Sequence, residues 1–306
     1  MILPMYGHFP APKDTPPKQL YERNRQQAGY DTIMSHTEIT NAPFLRGMCE
    51  LTANMYRLGW DERNGGNVSC LLSEEELAPF RDTLIPKRRL PFNFDASELR
   101  GKVILVTGTG KYFKNVISDP EKTLGIVRIA DSGREAELLW GFSDGGTFTS
   151  EFPAHLMSHI VRLHKDSKHR VIIHTHPTNT VALTHIHTLS DQAFTRTLWG
   201  TCTECIVVFP EGIGVLPWMI CGNNEIGQQT ARKMEQYRLV VWAQHGIYGA
   251  GTDYDEAFGL IETVEKGAEL YMKYAAFPVL NKITDRQLDE LAHAFHLTYR
   301  KDFLDL

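Results

Sequence analysis

Short β-branched runs alternate with amphipathic stretches along most of this chain of 306 residues, and this alternation constrains the fold more than any other feature. Apolar residues at three- and four-residue steps predict helices, whereas short runs rich in Val and Ile predict strands. We expect helices at 40–58, 150–164, 225–237, 253–275 and 284–296. We expect strands at 102–107, 124–130, 170–176, 205–209, 214–217 and 239–242, while 73–100 shows no clear pattern. Strands and helices that interleave without a repeat predict one α/β domain.

The first part of the chain differs from the rest. Prolines at positions 4, 10, 12, 16 and 17 remove backbone donors and disfavour both helix and sheet. We therefore expect a Pro-rich N-terminal arm over residues 1–35 and one folded domain over residues 36–306. Near the other end, Thr284 with Gln287 three residues later predicts a capping box at the start of the last helix.

Composition excludes several classes of protein. Hydrophobic residues make up 42% and charged residues 23%, as in soluble globular proteins. Lys+Arg 32 against Asp+Glu 37 gives a net charge of −5, without the basic excess of a nucleic-acid binder. The five cysteines are scattered and odd in number, which favours free thiols in a reducing compartment. With no secretory signal and no long apolar run, we expect a cytoplasmic protein without a membrane partner.

Two histidines two residues apart form the strongest candidate site. His174 and His176 lie on a predicted strand, so both imidazoles share one face of it. His245 also follows an apolar run, and Gly246 next to it allows close approach of the backbone. Three imidazoles with an open fourth position are typical of a catalytic zinc site. The alternative is coincidence, since the chain has 13 histidines.

A second pair, His185 and His187, serves as an internal comparison. It falls in a helix-like stretch, where residues two apart point in different directions, so we do not expect it to chelate a metal.

Glu151 is the candidate for proton transfer. It lies at the start of a predicted helix, where Ser150 is a possible cap and Pro153 fits the first turn. One interpretation is favourable charge at a helix N-terminus. The other is a carboxylate next to a metal, whose pKa the helix start would lower and an apolar pocket would raise.

Two glycine-containing loops could bind an anion through bare N–H groups. They are residues 64–67 (Asn-Gly-Gly-Asn) and residues 108–111 (Gly-Thr-Gly-Lys). Neither fits a nucleotide-binding fingerprint, and each alone is equally consistent with a tight turn. Cys202 and Cys205 have the spacing of a zinc knuckle, but no second pair accompanies them.

Taken together, these motifs resemble the class II aldolase/adducin family. The resemblance rests on residues 59–67, 108–116, 149–155, 174–179, 203–218 and 245–246, and it runs from about residue 40 nearly to the end. It implies a single catalytic domain over 36–306, with a mostly antiparallel central β-sheet flanked by helices. It also implies a zinc-dependent enzyme that cleaves a ketose 1-phosphate by a retro-aldol reaction.

The resemblance implies roles for individual residues. It places one zinc ion per subunit on His174, His176 and His245, and makes Glu151 the carboxylate that transfers protons. It gives Glu204 a catalytic role from a neighbouring subunit, in a homotetramer whose active sites lie at subunit interfaces. The substrate phosphate is then bound by Asn64, Asn67, Thr109, Gly110 and Ser150.

Three alternatives stay open. Sister enzymes of the family, the L-fuculose-phosphate aldolases and L-ribulose-5-phosphate 4-epimerases, have similar metal sites. A non-enzymatic, adducin-like interaction domain would not need the metal ligands. A structural zinc site on Cys202 and Cys205 would lose its metal when those residues, rather than His174, are replaced.

Overall fold

The computed structural model describes residues 38–306. The expected Pro-rich arm, residues 1–35, lies outside the described residues, so its boundary stays a prediction. Within the described residues, no helix is long and apolar enough to cross a membrane.

A mixed β-sheet forms the centre of the described domain. Its nine strands are β1 (Asn67–Leu72), β2 (Arg88–Pro91), β3 (Val103–Thr107), β4 (Leu124–Ile129), β5 (Glu135–Gly141), β6 (Val171–Thr175), β7 (Gly214–Leu216), β8 (Leu239–Trp242) and β9 (Gly246–Gly251), in residues 38–306. Their order across the sheet is β2-β5-β4-β3-β1-β6-β9-β8-β7. Only β7 and β8 pair in parallel, which confirms the mostly antiparallel sheet.

Helices cover both faces of this sheet. They are α1 (Pro43–Arg57), α2 (Glu74–Leu77), α3 (Pro120–Thr123), α4 (Phe152–Lys165), α5 (Thr178–Ile186), α6 (Asp191–Thr201), α7 (Thr203–Val208), α8 (Asn224–Met234), α9 (Tyr254–Tyr274) and α10 (Asp285–Ala294). Side chains alternate along β3, so Leu105 packs with the α1, α6 and α9 core and Ile104 packs with α4. The arrangement is a three-layer α/β fold buried on both sides.

Most predicted elements are present within a few residues of their expected bounds. The capping box of Thr284 and Gln287 opens α10 as expected. Ser150 does not cap α4: its N-cap is Glu151, with no side-chain cap hydrogen bond, although Pro153 does lie in the first turn.

The strand predicted at 205–209 is wrong. Residues 205–208 belong to α7, which begins at Thr203 and packs against α6, α9 and α10, and Phe209 is its C-cap. The run of β-branched residues favours a strand locally, but tertiary packing overrides this preference. The sequence patterns also missed β1, β2, β5, β9 and α6.

A close approach between the chain segment before β1 and the end of β6 shapes the site. Asp61 is 1% exposed, and both of its carboxylate oxygens accept from the Thr175 hydroxyl, at 3.2 and 3.1 Å. Gly66 lies against Asp61 with φ +71°, and a Cβ there would overlap the Asp61 carboxylate. Only glycine combines this conformation with this contact.

We predict that Gly66→Ala destabilises the protein more than Gly101→Ala. Gly101 has nearly the same φ, +72°, but a Cβ there would meet no atom within 4 Å. Gly101→Ala should cost about 1–2 kcal/mol of unfolding free energy for the left-handed backbone. Gly66→Ala should cost about 1–3 kcal/mol more for overpacking. Urea unfolding of the three proteins measures the difference, and equal losses would contradict it.

Candidate active site

Four strand ends meet at one end of the sheet and bring distant parts of the chain together. Antiparallel pairing places the start of β1 next to the end of β6, with Asn67 opposite His174. It places the end of β6 next to the start of β9, with His174 opposite Tyr248. The loop after β3 arrives at the same end, because Val68 N–H donates to the Thr107 hydroxyl at 3.1 Å.

Three histidines converge there. His174 is buried on β6, His176 follows that strand, and His245 precedes β9. Each contributes a nitrogen, and these atoms all lie within 4.8 Å of one another. The His174 and His245 Nε2 atoms are 3.3 Å apart.

Two of the three imidazoles have their Nδ1 atoms engaged. The His174 Nδ1–H donates to the Ile247 carbonyl oxygen at 3.1 Å, and the His176 Nδ1–H donates to a Glu62 carboxylate oxygen at 3.3 Å. This leaves both Nε2 atoms as acceptors. Among the described residues, the buried His176 Nε2 has no hydrogen-bond partner. Carbonyl and carboxylate partners on the far nitrogen are typical of metal-ligating histidines.

The geometry and charge of this set fit a tetrahedral divalent ion. Two nitrogens about 2.05 Å from a tetrahedral ion are separated by about 3.3 Å, close to the distance between the His174 and His245 Nε2 atoms. Burial lowers the pKa of His174 well below its usual range and that of His245 to about 4. Both are therefore neutral near pH 7, the form that binds metals.

Two glycines make room for the imidazoles. A Cβ on Gly65 would lie 2.8 Å from the His176 Cε1 atom. A Cβ on Gly246 would overlap the Thr175 carbonyl oxygen and lie 2.8 Å from the His176 Cδ2 atom. The close approach expected at Gly246 is confirmed.

Glu151 lies beside this set at the start of α4. Its Oε2 atom is 3.7 Å from the His174 Nε2 atom and accepts from Asn67 Nδ2 and the Tyr248 hydroxyl, each at 3.0 Å. The residue is 7% exposed, and burial raises its pKa, although these two hydrogen bonds oppose the shift. Burial, one of the two effects weighed from the sequence, is thus the largest cause of the shift, and the opposing causes include these hydrogen bonds.

The predicted phosphate-binding residues differ in exposure. Asn64, Thr109, Gly110 and Ser150 are all exposed. A bridge between Gly108 and Phe148 holds the 108–111 loop beside the chain segment that leads to Ser150 and Glu151. Asn67 is 6% exposed, and its amide contacts Glu151 and His155. The phosphate roles stay predictions.

Glu204 does not join the cluster within this chain. It is exposed on α7, and its Oε2 atom accepts from the Cys202 thiol at 2.8 Å. This hydrogen bond is the largest effect that lowers the pKa of Glu204. Within residues 38–306, Cys202 and Cys205 belong to no group of three potential metal ligands. His185 is exposed on α5, and the His187 Nε2 atom lies 2.8 Å from the Thr197 hydroxyl.

Three residues at the site escaped the sequence analysis. Tyr248 stacks on His174 with ring centroids 4.6 Å apart, but its strand is rich in glycine and was not predicted. Glu62 is an exposed loop residue. Cys221 is exposed, yet its Sγ atom lies within 4.8 Å of ligand atoms of Glu151 and His245. No pattern in the sequence distinguishes these last two residues.

Comparison with known proteins identifies the family. Residues 46–272 match the family described as Class II Aldolase and Adducin N-terminal domain, so the chain belongs to the class II aldolase/adducin family. It is a class II aldolase, an enzyme of the carbon-carbon lyase class.

Individual relatives are similar over nearly their whole length. The chain is 50% identical to rhamnulose-1-phosphate aldolase of Listeria monocytogenes serovar 1/2a, over 88% of this chain and 98% of the relative. It is 51% identical to rhamnulose-1-phosphate aldolase of Enterococcus faecalis, over 87% and 96%. Among solved structures, a sugar-phosphate aldolase from Thermotoga maritima is similar with a TM-score of 0.66 and 27% identity, over 78% of this chain and 97% of that one.

We predict that the buried His159 makes stability fall in acid. Burial on α4 lowers its pKa from 6.5 to about 3. Between these values the unfolded chain binds a proton that the folded chain does not, so the stability present above pH 6.5 is lost as the pH falls. From about pH 5.5 to 4, His159→Gln should reduce the slope of unfolding free energy against pH by about 1.4 kcal/mol per pH unit.

Urea unfolding of the metal-free protein at several pH values measures this slope. His293→Gln, which replaces an exposed histidine on α10, separates the effect of burial from that of losing an imidazole. An unchanged slope in His159→Gln would contradict the assignment.

Proposed function

We propose that this enzyme cleaves L-rhamnulose 1-phosphate into dihydroxyacetone phosphate and L-lactaldehyde, a step of L-rhamnose breakdown, with one zinc ion per subunit. The observation that carries the proposal is the convergence of three imidazoles beside a buried carboxylate. The substrate is inferred from relatives about 50% identical that are named rhamnulose-1-phosphate aldolases.

His174, His176 and His245 would hold the metal, with a fourth position open to substrate. When bound, a divalent ion supplies Lewis-acid stabilisation of negative charge on substrate oxygen atoms. The neutral state of His174 and His245 favours this use, since protonated imidazoles cannot ligate.

Glu151 would move the proton at carbon 3. The carbon 4 hydroxyl loses its proton to water and becomes the aldehyde as the bond between carbons 3 and 4 breaks; the electron pair stays on carbon 3, and Glu151 delivers a proton to it. In the direction of synthesis, the same carboxylate removes that proton. Burial favours the protonated acid needed for cleavage, because it raises the pKa of Glu151.

The exposed loops would hold the phosphate. The Gly110 N–H group, with the exposed side chains of Asn64, Thr109 and Ser150, is suited to an anion, whereas the Gly108 and Thr109 N–H groups already donate to the Thr123 and Thr147 carbonyl oxygens. The Asn67 amide contacts Glu151 and His155, so we assign this residue to Glu151 rather than to the phosphate. Binding the remote phosphate positions the reacting carbons without a covalent lysine. Glu204 lies exposed on α7. This exposure is consistent with a role in the active site of a neighbouring subunit, because such a residue must be accessible on the isolated chain.

All five cysteines lie in the described part of the chain, and none forms a disulfide. Free thiols support a location in the reducing cytoplasm.

The test combines a metal analysis with a product assay. Zinc-loaded protein is offered L-rhamnulose 1-phosphate, L-fuculose 1-phosphate and L-ribulose 5-phosphate in parallel. Dihydroxyacetone phosphate release is measured for the two 1-phosphates, and formation of the epimerised pentulose phosphate is measured for the third. We expect the fastest release from L-rhamnulose 1-phosphate. Faster turnover of another sugar phosphate by the zinc-bound protein would assign the enzyme to a sister activity.

We predict that Glu151→Gln retains zinc but loses at least tenfold in kcat, because general acid–base catalysis typically contributes a factor of ~10²–10⁴ to the rate. The amide keeps the size of the side chain and cannot transfer the proton. Steady-state kinetics and zinc content of the purified variant check this. An unchanged kcat would favour the other interpretation, in which Glu151 only provides favourable charge at a helix N-terminus.

We predict that chains carrying Glu151→Gln complement chains carrying Glu204→Ala. If each site takes Glu151 from one subunit and Glu204 from the next, about one quarter of sites in a random 1:1 ring hold both intact residues. Activity should then return to about a quarter of wild type. Native mass spectrometry verifies mixing, and mixed tetramers without activity would place both residues in one chain's site.

A further inference from the structure

A buried row of hydrogen bonds runs behind Glu151, between β1 and α4. The His155 Nε2 atom contacts Asn67 Oδ1, and its Nδ1 atom lies 2.7 Å from the Ser69 hydroxyl. The His159 Nε2 atom, one helical turn further along α4, lies 2.8 Å from the same hydroxyl. Ser69, His155 and His159 are all 0% exposed.

The direction of every bond in this row follows from its chemistry. Burial keeps both imidazoles neutral, because it lowers the pKa of His155 well below its usual range and that of His159 to about 3. Asn67 Nδ2 donates to Glu151 Oε2, so Asn67 Oδ1 is an acceptor and the His155 Nε2 atom carries the proton. The His155 Nδ1 atom then accepts.

The Ser69 hydroxyl completes the same pattern. Its single proton goes to His155 Nδ1, so its oxygen accepts from the His159 Nε2–H. The His159 Nδ1 atom is thereby an acceptor, and among the described residues it is buried with no partner. Each hydrogen bond in the row therefore pairs one donor with one acceptor.

The row of hydrogen bonds ends at one carboxylate oxygen of Glu151, the Oε2 atom. Asn67 Nδ2 and the Tyr248 hydroxyl both donate to Oε2, and within residues 38–306 no hydrogen bond ends at Oε1. Without a donor to its Oδ1 atom, the Asn67 amide could rotate by 180° and place its oxygen, instead of its NH₂ group, against the Glu151 carboxylate. The hydrogen bond from the His155 Nε2–H to Oδ1 prevents this rotation.

We propose that His155, Ser69 and His159 are positioning residues that fix the Asn67 amide, so that Glu151 is held by Oε2 and exchanges its proton with substrate through Oε1. This inference rests on the proton-transfer role proposed for Glu151. It assigns the three buried residues an effect on the chemical step rather than on metal or substrate binding.

Matched variants of the full-length, zinc-loaded enzyme test this role. His155→Phe keeps a ring but removes the donor, whereas His155→Gln places an amide N–H near the former Nε2 position. We expect His155→Phe to lower kcat about tenfold to 10²-fold, as small misplacement of a reacting group does. KM for L-rhamnulose 1-phosphate should stay within about twofold. His155→Gln should recover most of kcat, and both variants should retain zinc.

A double-mutant cycle separates an effect that acts through Glu151 from a general effect on the stability or shape of the site. In the Glu151→Gln background, His155→Phe should lower the residual rate by less than about twofold, because the group on which it acts is gone. An equal loss in both backgrounds, or a loss of zinc or rise in KM with kcat unchanged, would overturn the proposal. Full activity of Glu151→Gln alone would instead overturn the proposed role of Glu151.

Ser69 provides a second route if His155→Phe does not fold. Ser69→Ala frees His155 to take either tautomer, so kcat should fall severalfold, while Ser69→Thr keeps the hydroxyl and should restore it. The same cycle with Glu151→Gln applies, and additive losses would overturn the proposal.

Discussion

The register of β6 with its two neighbouring strands determines which side chains meet at the centre of the site. Asn67 on β1, His174 on β6 and Tyr248 on β9 lie directly opposite one another and form one row across three strands. Because side chains alternate between the two faces of a sheet, a shift by one residue would send each of them to the opposite face. Backbone pairing therefore places together His174, a proposed metal ligand, and the two residues that donate to Glu151, Asn67 and Tyr248.

The same register brings polar groups into the interior, and the surrounding residues satisfy them. Asp61 accepts from Thr175, and Glu151 accepts from Asn67 and Tyr248. Buried polar atoms without partners are expensive, so such networks are either nearly complete or absent. Within residues 38–306 four buried side-chain atoms lack a partner. One of them, the His176 Nε2 atom, belongs to the set of three imidazoles that a metal would complete.

Part of this could be predicted from sequence, and the reason is periodicity. The period of two in residues 171–176 identifies both β6 and the shared face of His174 and His176. In contrast, β9 contains glycines at 246, 249 and 251: the first lies against Thr175 and the imidazoles, α9 packs too closely for side chains at the other two, and glycine conceals a strand. Tyr248 depends on that hidden strand, and the row behind Glu151 depends on β1, which the sequence patterns also missed. The β-branched run in α7 wrongly predicted a strand, because contacts with other helices, and not local preference, determine its conformation.

A crystal structure of the zinc-loaded protein, with anomalous data collected on both sides of the zinc absorption edge, shows whether the three imidazoles bind the metal. We expect one strong peak per subunit, about 2.0–2.1 Å from nitrogens of His174, His176 and His245. A peak at Cys202 and Cys205, or no peak among the three imidazoles at full zinc loading, would contradict this expectation.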